Sequence, residues 1–209
     1  MVVDQLELRL AARQEASKAE ILAREIDHRV MNSLQFVSSM LTLQSRLPDL
    51  TDPAGQLQMA ASRVAAVARV HRHFQMDEAA ETTSSIAFLR RLCADLSDIL
   101  GKTVTVSGDE GDVPTTRIQP IGLIVNELVT NAAKHGEGEI RVIYKIAGDS
   151  HEISVCDEGG GLPENFDSNE SGGLGTKVVI TLARQLDGRI KADPSSTEHG
   201  SCFTVIFPA

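Results

Sequence analysis

Two joined folds are expected of this sequence: an α-helical hairpin, closing into a four-helix bundle when two chains pair, and then an α+β two-layer domain. Three observations lead there. Up to about Gln75 the apolar residues recur at intervals of three and four, with almost no strand pattern. After the polar stretch DEAAETTSS (77–85), helical and alternating periodicities take turns. The 209 residues, 42% hydrophobic and 23% charged, are enough for one or two buried cores. The division is expected at 80/81, with the hairpin over 1–80 and the α+β domain over 81–209.

The first hairpin helix follows from Leu22, Ile26, Val30, Leu34, Val37 and Leu41, and its pattern extends back to Leu6 with no Gly or Pro before Pro48. LPDLTDPAG (47–55) supplies the turn, with Thr51 or Asp52 as the cap of the next helix. The second helix carries Leu57, Ala60, Val64, Val67, His71 and Phe74 as its seam. Two helices alone cannot cover apolar faces of this length, so a homodimer is expected.

Beyond the linker, Ile86 to Leu100 reads as a helix stopped by Gly101, and TVTVSGD (103–109) as a strand. Gln119 to Lys134 is a helix with Pro120 in its first turn. EIRVIYKIA (139–147) and HEISVCD (151–157) are strands joined by a short turn. A glycine-rich stretch leads to a helix from about Thr176 to Leu186, then strands near Arg189–Ala192 and Ser201–Phe207. The sheet is expected to be mainly antiparallel.

A formal net charge of −9 argues against a nucleic-acid partner, whose phosphate backbone would be repelled. Cys93, Cys156 and Cys202 stand far apart, an odd set with no metal-ligand spacing, which points to reduced thiols in a cytoplasmic protein. No apolar run is long enough to cross a bilayer, and no membrane partner is expected.

The stretch REIDHRVMNSLQ (24–35) puts a histidine in an unusual place. At about 100° per residue, Ile26, Val30, Leu34, Val37 and Leu41 share one quadrant of the helix, and His28 points nearly opposite. Asn32 and Gln35 lie within about 40° of it, on the same polar face. An imidazole there is solvated and free to react, although helical position alone would suit any surface histidine.

The second half supplies chemistry for it. NELVTNAAKHG (126–136) sets Glu127 and Asn131 one helical turn apart on one face, with Lys134 a turn further. A carboxamide can give its oxygen to Mg²⁺ shared with phosphates, and a lysine offsets phosphate charge. In CDEGGGL (156–162), Asp157 ends a strand where it can accept from an exocyclic amine, and glycines let backbone approach a ligand closely. SGGLGTKVV (171–179) sets glycines before a helix, whose free N–H groups and dipole favour phosphate. A tight turn or a plain helix cap would use the same residues. The glycine stretch is neither a Walker loop nor a dinucleotide fingerprint.

Taken in order, NELVTNAAKH, DEGGGL, GGLGTKVV and the terminal GSCFTVIFP resemble the N, G1 and G2 boxes and last strand of the Bergerat ATP-binding fold. REIDHRVMNSLQFVSSMLTLQ resembles the phosphoacceptor helix of two-component sensor histidine kinases, in the subgroup related to the HWE kinases. RVAAVARVHRHF resembles that subgroup's second hairpin helix. The resemblance spans about residues 20 to 209.

It implies an ATP-dependent protein histidine kinase with ATP and Mg²⁺ as cofactors and a response regulator receiver domain as partner. By this resemblance His28 is the phosphoacceptor, Asn131 the Mg²⁺-binding residue, and Glu127 the acid that orients water in related ATPases. Lys134 and His135 end the N box near the phosphates. Asp157 matches the adenine-binding residue, with Gly159 and Gly161 beneath the base. Gly173, Leu174 and Gly175 match the G2 turn, and Ser201 the hydroxyl of the adenine network. Asn32 matches a position that handles water in the reverse, phosphatase reaction. Relatives carry an acid directly after the histidine; here Arg29 follows and Asp27 precedes, which leaves the general base open. The stretch before the long helix is not expected to form a sensor domain, so the chain is expected either to be a fragment of a longer sensor kinase or to take its input from another protein. Two other functions suit parts of the pattern. One is a phosphotransferase or pseudokinase that docks a receiver without ATP turnover; the other is a regulatory ATP-binding module of the anti-sigma-factor kinase type.

Overall fold

The computed structural model describes residues 31, 34–35, 37–38, 41–42, 53–74, 82–162, 173–194 and 200–209. Two compact units divide the chain, Met1–Thr51 and Asp52–Ala209. Within the first unit the described residues are helical, and Met31, Leu34 and Leu41 are exposed. His28, Asp27 and Asn32 lie outside the described residues.

The second unit begins with α1 (Pro53–Phe74), the helix expected to be the second of the hairpin. Its buried face is Ala66, Val67 and Val70, while Leu57 and Val64 of the expected seam are exposed. Val67 belongs to the expected seam, so the face that packs here overlaps that seam and is turned from it toward Ala66 and Val70. Among its described side chains, helix α1 thus has one covered apolar face and a second on which Leu57 and Val64 are exposed. Val70 is the contact that seats it, reaching Gly122, where even a Cβ would lie within 2.9 Å of both Val70 methyls and of Phe88.

The rest of this unit is a sheet with helices α2 (Ser85–Leu100), α3 (Thr115–His135) and α4 (Leu174–Gln185). The Ser84 hydroxyl caps α2 by accepting from Ala87 N–H, and Gly101 ends it at φ 61°. Helix α3 starts four residues before the expected Gln119, directly after Pro114. Pro120 therefore sits in the second turn, where one backbone hydrogen bond is lost, and not in the first. The start was misread because Pro114, not Pro120, is the proline that opens the helix.

Strands β2 (Val104–Gly108), β4 (Ile140–Ala147), β5 (Ser150–Cys156), β7 (Ser201–Pro208) and β6 (Arg189–Pro194) form the sheet in that spatial order. Three of its pairs are antiparallel; β2 and β4 run parallel, since α3 carries the chain between them. The sheet is mixed and mostly antiparallel. A second, two-stranded sheet of β1 (Thr82–Ser84) and β3 (Asp112–Pro114) was not expected and fastens the end of the polar linker.

Alternation along β4 buries Ile140, Val142 and Tyr144 and leaves the residues between them half-buried or exposed. These side chains and Ile153, Val155 and Val205 meet Leu89, Leu92 and Leu96 of α2 and Ile118, Ile121 and Ile124 of α3 in one aliphatic core. Each such side chain contributes about 1.5–3 kcal/mol by leaving water. No described helix is long and apolar enough to cross a membrane.

Candidate ATP-binding site

The core hands three pieces of polar sequence to one place. Helix α3 buries its apolar side and turns Asn131 and His135 to a cavity of about 380 Å³. Strands β5 and β7 end at the same cavity with Asp157 and Ser201, and α4 starts there with Gly173, Gly175 and Thr176. Leu128, Ala132, Val155 and Phe203 form its apolar wall.

Asp157 and Ser201 are only 5% and 8% exposed. The Asp157 N–H donates to the Ser201 carbonyl at 2.9 Å, continuing the sheet ladder one step past β5. The Ser201 hydroxyl donates to Asp157 Oδ2 at 2.5 Å, and the Gly159 N–H donates to Oδ1 at 2.9 Å. Each carboxylate oxygen keeps a lone pair, so the group can still accept from a ligand amine.

The backbone around this carboxylate is close-packed. A Cβ on Gly136 would lie 2.6 Å from Asp157 Cγ, and one on Gly159 would lie 2.7 Å from Gly136 Cα. Gly161 adopts φ 79°, a conformation that favours glycine. Gly136 is a site residue that the sequence reading did not single out, although it closes the same NELVTNAAKHG motif.

The other end of the cavity is less enclosed. Asn131 is half-buried and His135 is exposed on the cavity wall. Gly173 caps α4 with no side-chain hydrogen bond to the first N–H groups. Among the described residues of the first turns, Thr176 is buried against the cavity and was also missed by the sequence reading. For Leu174 the backbone starts α4, as expected of the G2 turn.

Three of the expected residues stand behind the cavity lining. Gly159 lies beneath Asp157, and Lys134 is exposed and does not line the cavity. Glu127 is buried one turn below Asn131, with its Oε1 3.7 Å from Arg63 Nε. Burial raises the Glu127 pKa, while the charges of Arg63 and Lys134 draw it down.

The expectation of three unpaired thiols is corrected. Cys156 and Cys202 are direct partners across β5 and β7, with Cα atoms 4.1 Å apart, and are joined by a disulfide. A separation of 46 residues hides that adjacency from a linear reading. Cys93 is free and buried in α2, and burial pushes its pKa up to about 12.

Comparison with known proteins agrees with this geometry. Residues 25–100 match a family described as histidine kinase, and residues 116–209 match the histidine kinase-, DNA gyrase B- and HSP90-like ATPases. Blue-light-activated histidine kinase 2 of Erythrobacter litoralis is 29% identical over 83% of this chain and 53% of its own length. Sensor histidine kinase PdtaS of Mycobacterium tuberculosis is 30% identical over 80% of this chain and 35% of its own. The chain thus spans about half, or less, of the curated relatives it matches. Among solved structures, the Erythrobacter litoralis EL346 blue-light activated histidine kinase shares the fold, with a TM-score of 0.72 at 24% identity, over 90% of this chain and 59% of that one. With an ATP-binding domain of this type behind a histidine kinase helical region, the chain belongs to the histidine kinases.

Proposed function

We propose that this chain is an ATP-dependent protein histidine kinase that phosphorylates its own His28 and passes the phosphoryl group to an aspartate of a response regulator receiver domain. The observation that carries the proposal is the polarity of the cavity. One end offers the buried, hydrogen-bonded Asp157 with apolar walls; the other offers Asn131 and an uncapped helix start.

Adenine suits the first end, its amine donating to Asp157 and its ring lying between Val155, Phe203 and the glycine backbone. The phosphates suit the second, facing the N–H groups of Gly173, Leu174 and Gly175 and the His135 ring, with the Lys134 ammonium one flexible stem away. The fit to Mg²⁺ rests on the donor set: the Asn131 carboxamide oxygen, half-buried at the cavity, is a hard ligand of the kind this ion takes alongside phosphate oxygens. Its charge would offset that of the phosphates.

In the proposed reaction a neutral His28 imidazole attacks the γ-phosphorus in line. A nitrogen–phosphorus bond forms while the bond to the ADP oxygen breaks, and the imidazole's other nitrogen loses its proton. Asp27 and Glu127 are the acids assigned to serve that proton and the attacking geometry. Asn32, one turn from His28, is assigned to position water in the reverse, phosphatase direction. The functional division is kept at 80/81, with 1–80 as the dimerisation and phosphoacceptor hairpin and 81–209 as the catalytic domain.

A homodimer follows from the hairpin's uncovered apolar residues: Leu34 and Leu41 in the first unit, and Leu57 and Val64 on α1. An upstream sensor domain or protein would supply the input, and a reaction that consumes ATP is assigned to the cytoplasm. Incubation with γ-labelled MgATP tests the whole reading. Wild type should retain an acid-labile, base-stable label and give it to a receiver domain. His28→Ala should take no label, yet keep its nucleotide affinity and a stability within about 0.5 kcal/mol, as expected of a change away from the apolar seam. The same label on His28→Ala would move the acceptor elsewhere, and no label on wild type would end the kinase assignment.

A further inference from the structure

Helix α1 does more than pack beside the ATP-binding domain. On its buried side, Arg63 reaches the one acid of the N box. Its side chain is 11% exposed, as is that of Glu127, and Nε stands 3.7 Å from Glu127 Oε1. The second carboxylate oxygen faces elsewhere. A Cβ on Gly175, in the first turn of α4, would lie 3.0 Å from Glu127 Oε2 and 3.2 Å from both terminal atoms of Asn131. One carboxylate therefore divides its oxygens between the hairpin helix and the assigned phosphate end.

We infer that Arg63 is a positioning residue for histidine phosphorylation: its charge, at ion-pair distance from Oε1, favours the rotamer in which Glu127 presents Oε2 beside Asn131 and the start of α4. The inference rests on the kinase assignment made above. A glutamate has three rotatable side-chain bonds and loses their freedom only if something holds its end. Lys134, the other cation that acts on Glu127, is exposed and one flexible stem away, so it holds the carboxylate less firmly. Arg63 has a planar head and a fixed base, because Ala66, Val67 and Val70 seat the next two turns of α1 against the domain. It does not line the cavity, so it acts through Glu127 and not on the nucleotide.

The arrangement also makes a hairpin helix part of the catalytic geometry. Gly175 leaves the space in which the carboxylate and carboxamide lie side by side, and Arg63 keeps the carboxylate there. A shift of α1 along its axis would carry the guanidinium away from Oε1 and release the side chain.

A double-mutant cycle on the full chain tests this, comparing wild type with Arg63→Ala, Glu127→Gln and the double variant. Arg63→Ala should lower kcat for autophosphorylation roughly tenfold while KM for ATP and the Kd for ADP stay within about twofold, the pattern of a lost transition-state contact. Arg63→Lys should recover part of the rate. The double variant should be no slower than Glu127→Gln alone, since both changes remove one coupled arrangement. Arg63→Met, which keeps the aliphatic stem, stands in if Arg63→Ala melts early. Losses that multiply in the double variant, an ADP affinity that falls with the rate, or a rate that ignores Arg63 would each overturn the inference. A wild type that takes no label would overturn the kinase assignment along with it, a different result from a labelled wild type indifferent to Arg63.

Discussion

The two ends of the nucleotide cavity are built on opposite plans. At the β5–β7 end, Asp157 is held at both oxygens and continued into the sheet by a backbone bond to Ser201. Gly136 and Gly159 are packed so closely around it that a methyl group has no room. At the α3–α4 end, Asn131 is half-buried, Lys134 and His135 are exposed, and the first N–H groups of α4 have no side-chain cap. The difference is one of when order is established. The first end has its hydrogen bonds before any ligand arrives, so it is suited to recognise a base with little reorganisation. At the second, the N-cap Gly173 offers no side chain to the first N–H groups of α4, so an anionic ligand suits them. Recognition and chemistry are thereby assigned to different ends of one site.

Asn131→Ala should separate the two ends most sharply. Phosphorylation should fall by at least about a hundredfold, as for loss of a group that stabilises developing charge. Affinity for adenosine should stay within a few-fold, because the β5–β7 end is untouched. Labelling rates and adenosine titration on the same variant check both halves; a parallel loss would merge the two ends into one.

Asp157→Ala should do the reverse. A buried adenine amine without its acceptor costs about 1–3 kcal/mol, so ATP, ADP and adenosine should all weaken by the same factor. Calorimetric titration that gave wild-type affinity would remove Asp157 from base recognition. Ser201→Ala is the finer probe. It removes one of two donors to the carboxylate while Gly159 keeps the other, and the expected loss is about 1 kcal/mol in nucleotide binding. A loss as large as that of Asp157→Ala would show that the hydroxyl, and not the carboxylate, is the principal contact.

Much of the β5–β7 end was legible in sequence because its chemistry is local. Asp157, Gly159 and Gly161 sit within five residues, at a strand end where an acid and glycines have few structural uses. The N box was legible because helical spacing sets Glu127 and Asn131 on one face. Other features depend on packing between distant segments and left no local trace. The face of α1 that packs on the sheet domain was not foreseen beside the expected seam, because it depends on Val70 meeting Gly122 and Phe88, residues far away in sequence. Arg63 has no local motif around it, and its approach to Glu127 depends on how α1 packs. The brief β1–β3 pair exists through tertiary pairing of two three-residue segments, too short for alternation to mark.

The bond between Cys156 and Cys202 has a consequence for alignment. Side chains alternate along a strand, so a slip of β5 against β7 by one residue would turn one of Asp157 and Ser201 away from the other. These cysteines are directly opposed only in the register that also brings those two residues face to face. Their covalent link is an indexing pin: it marks one alignment out of all those the two strands can slide through, and it does so next to the residues for which that alignment matters.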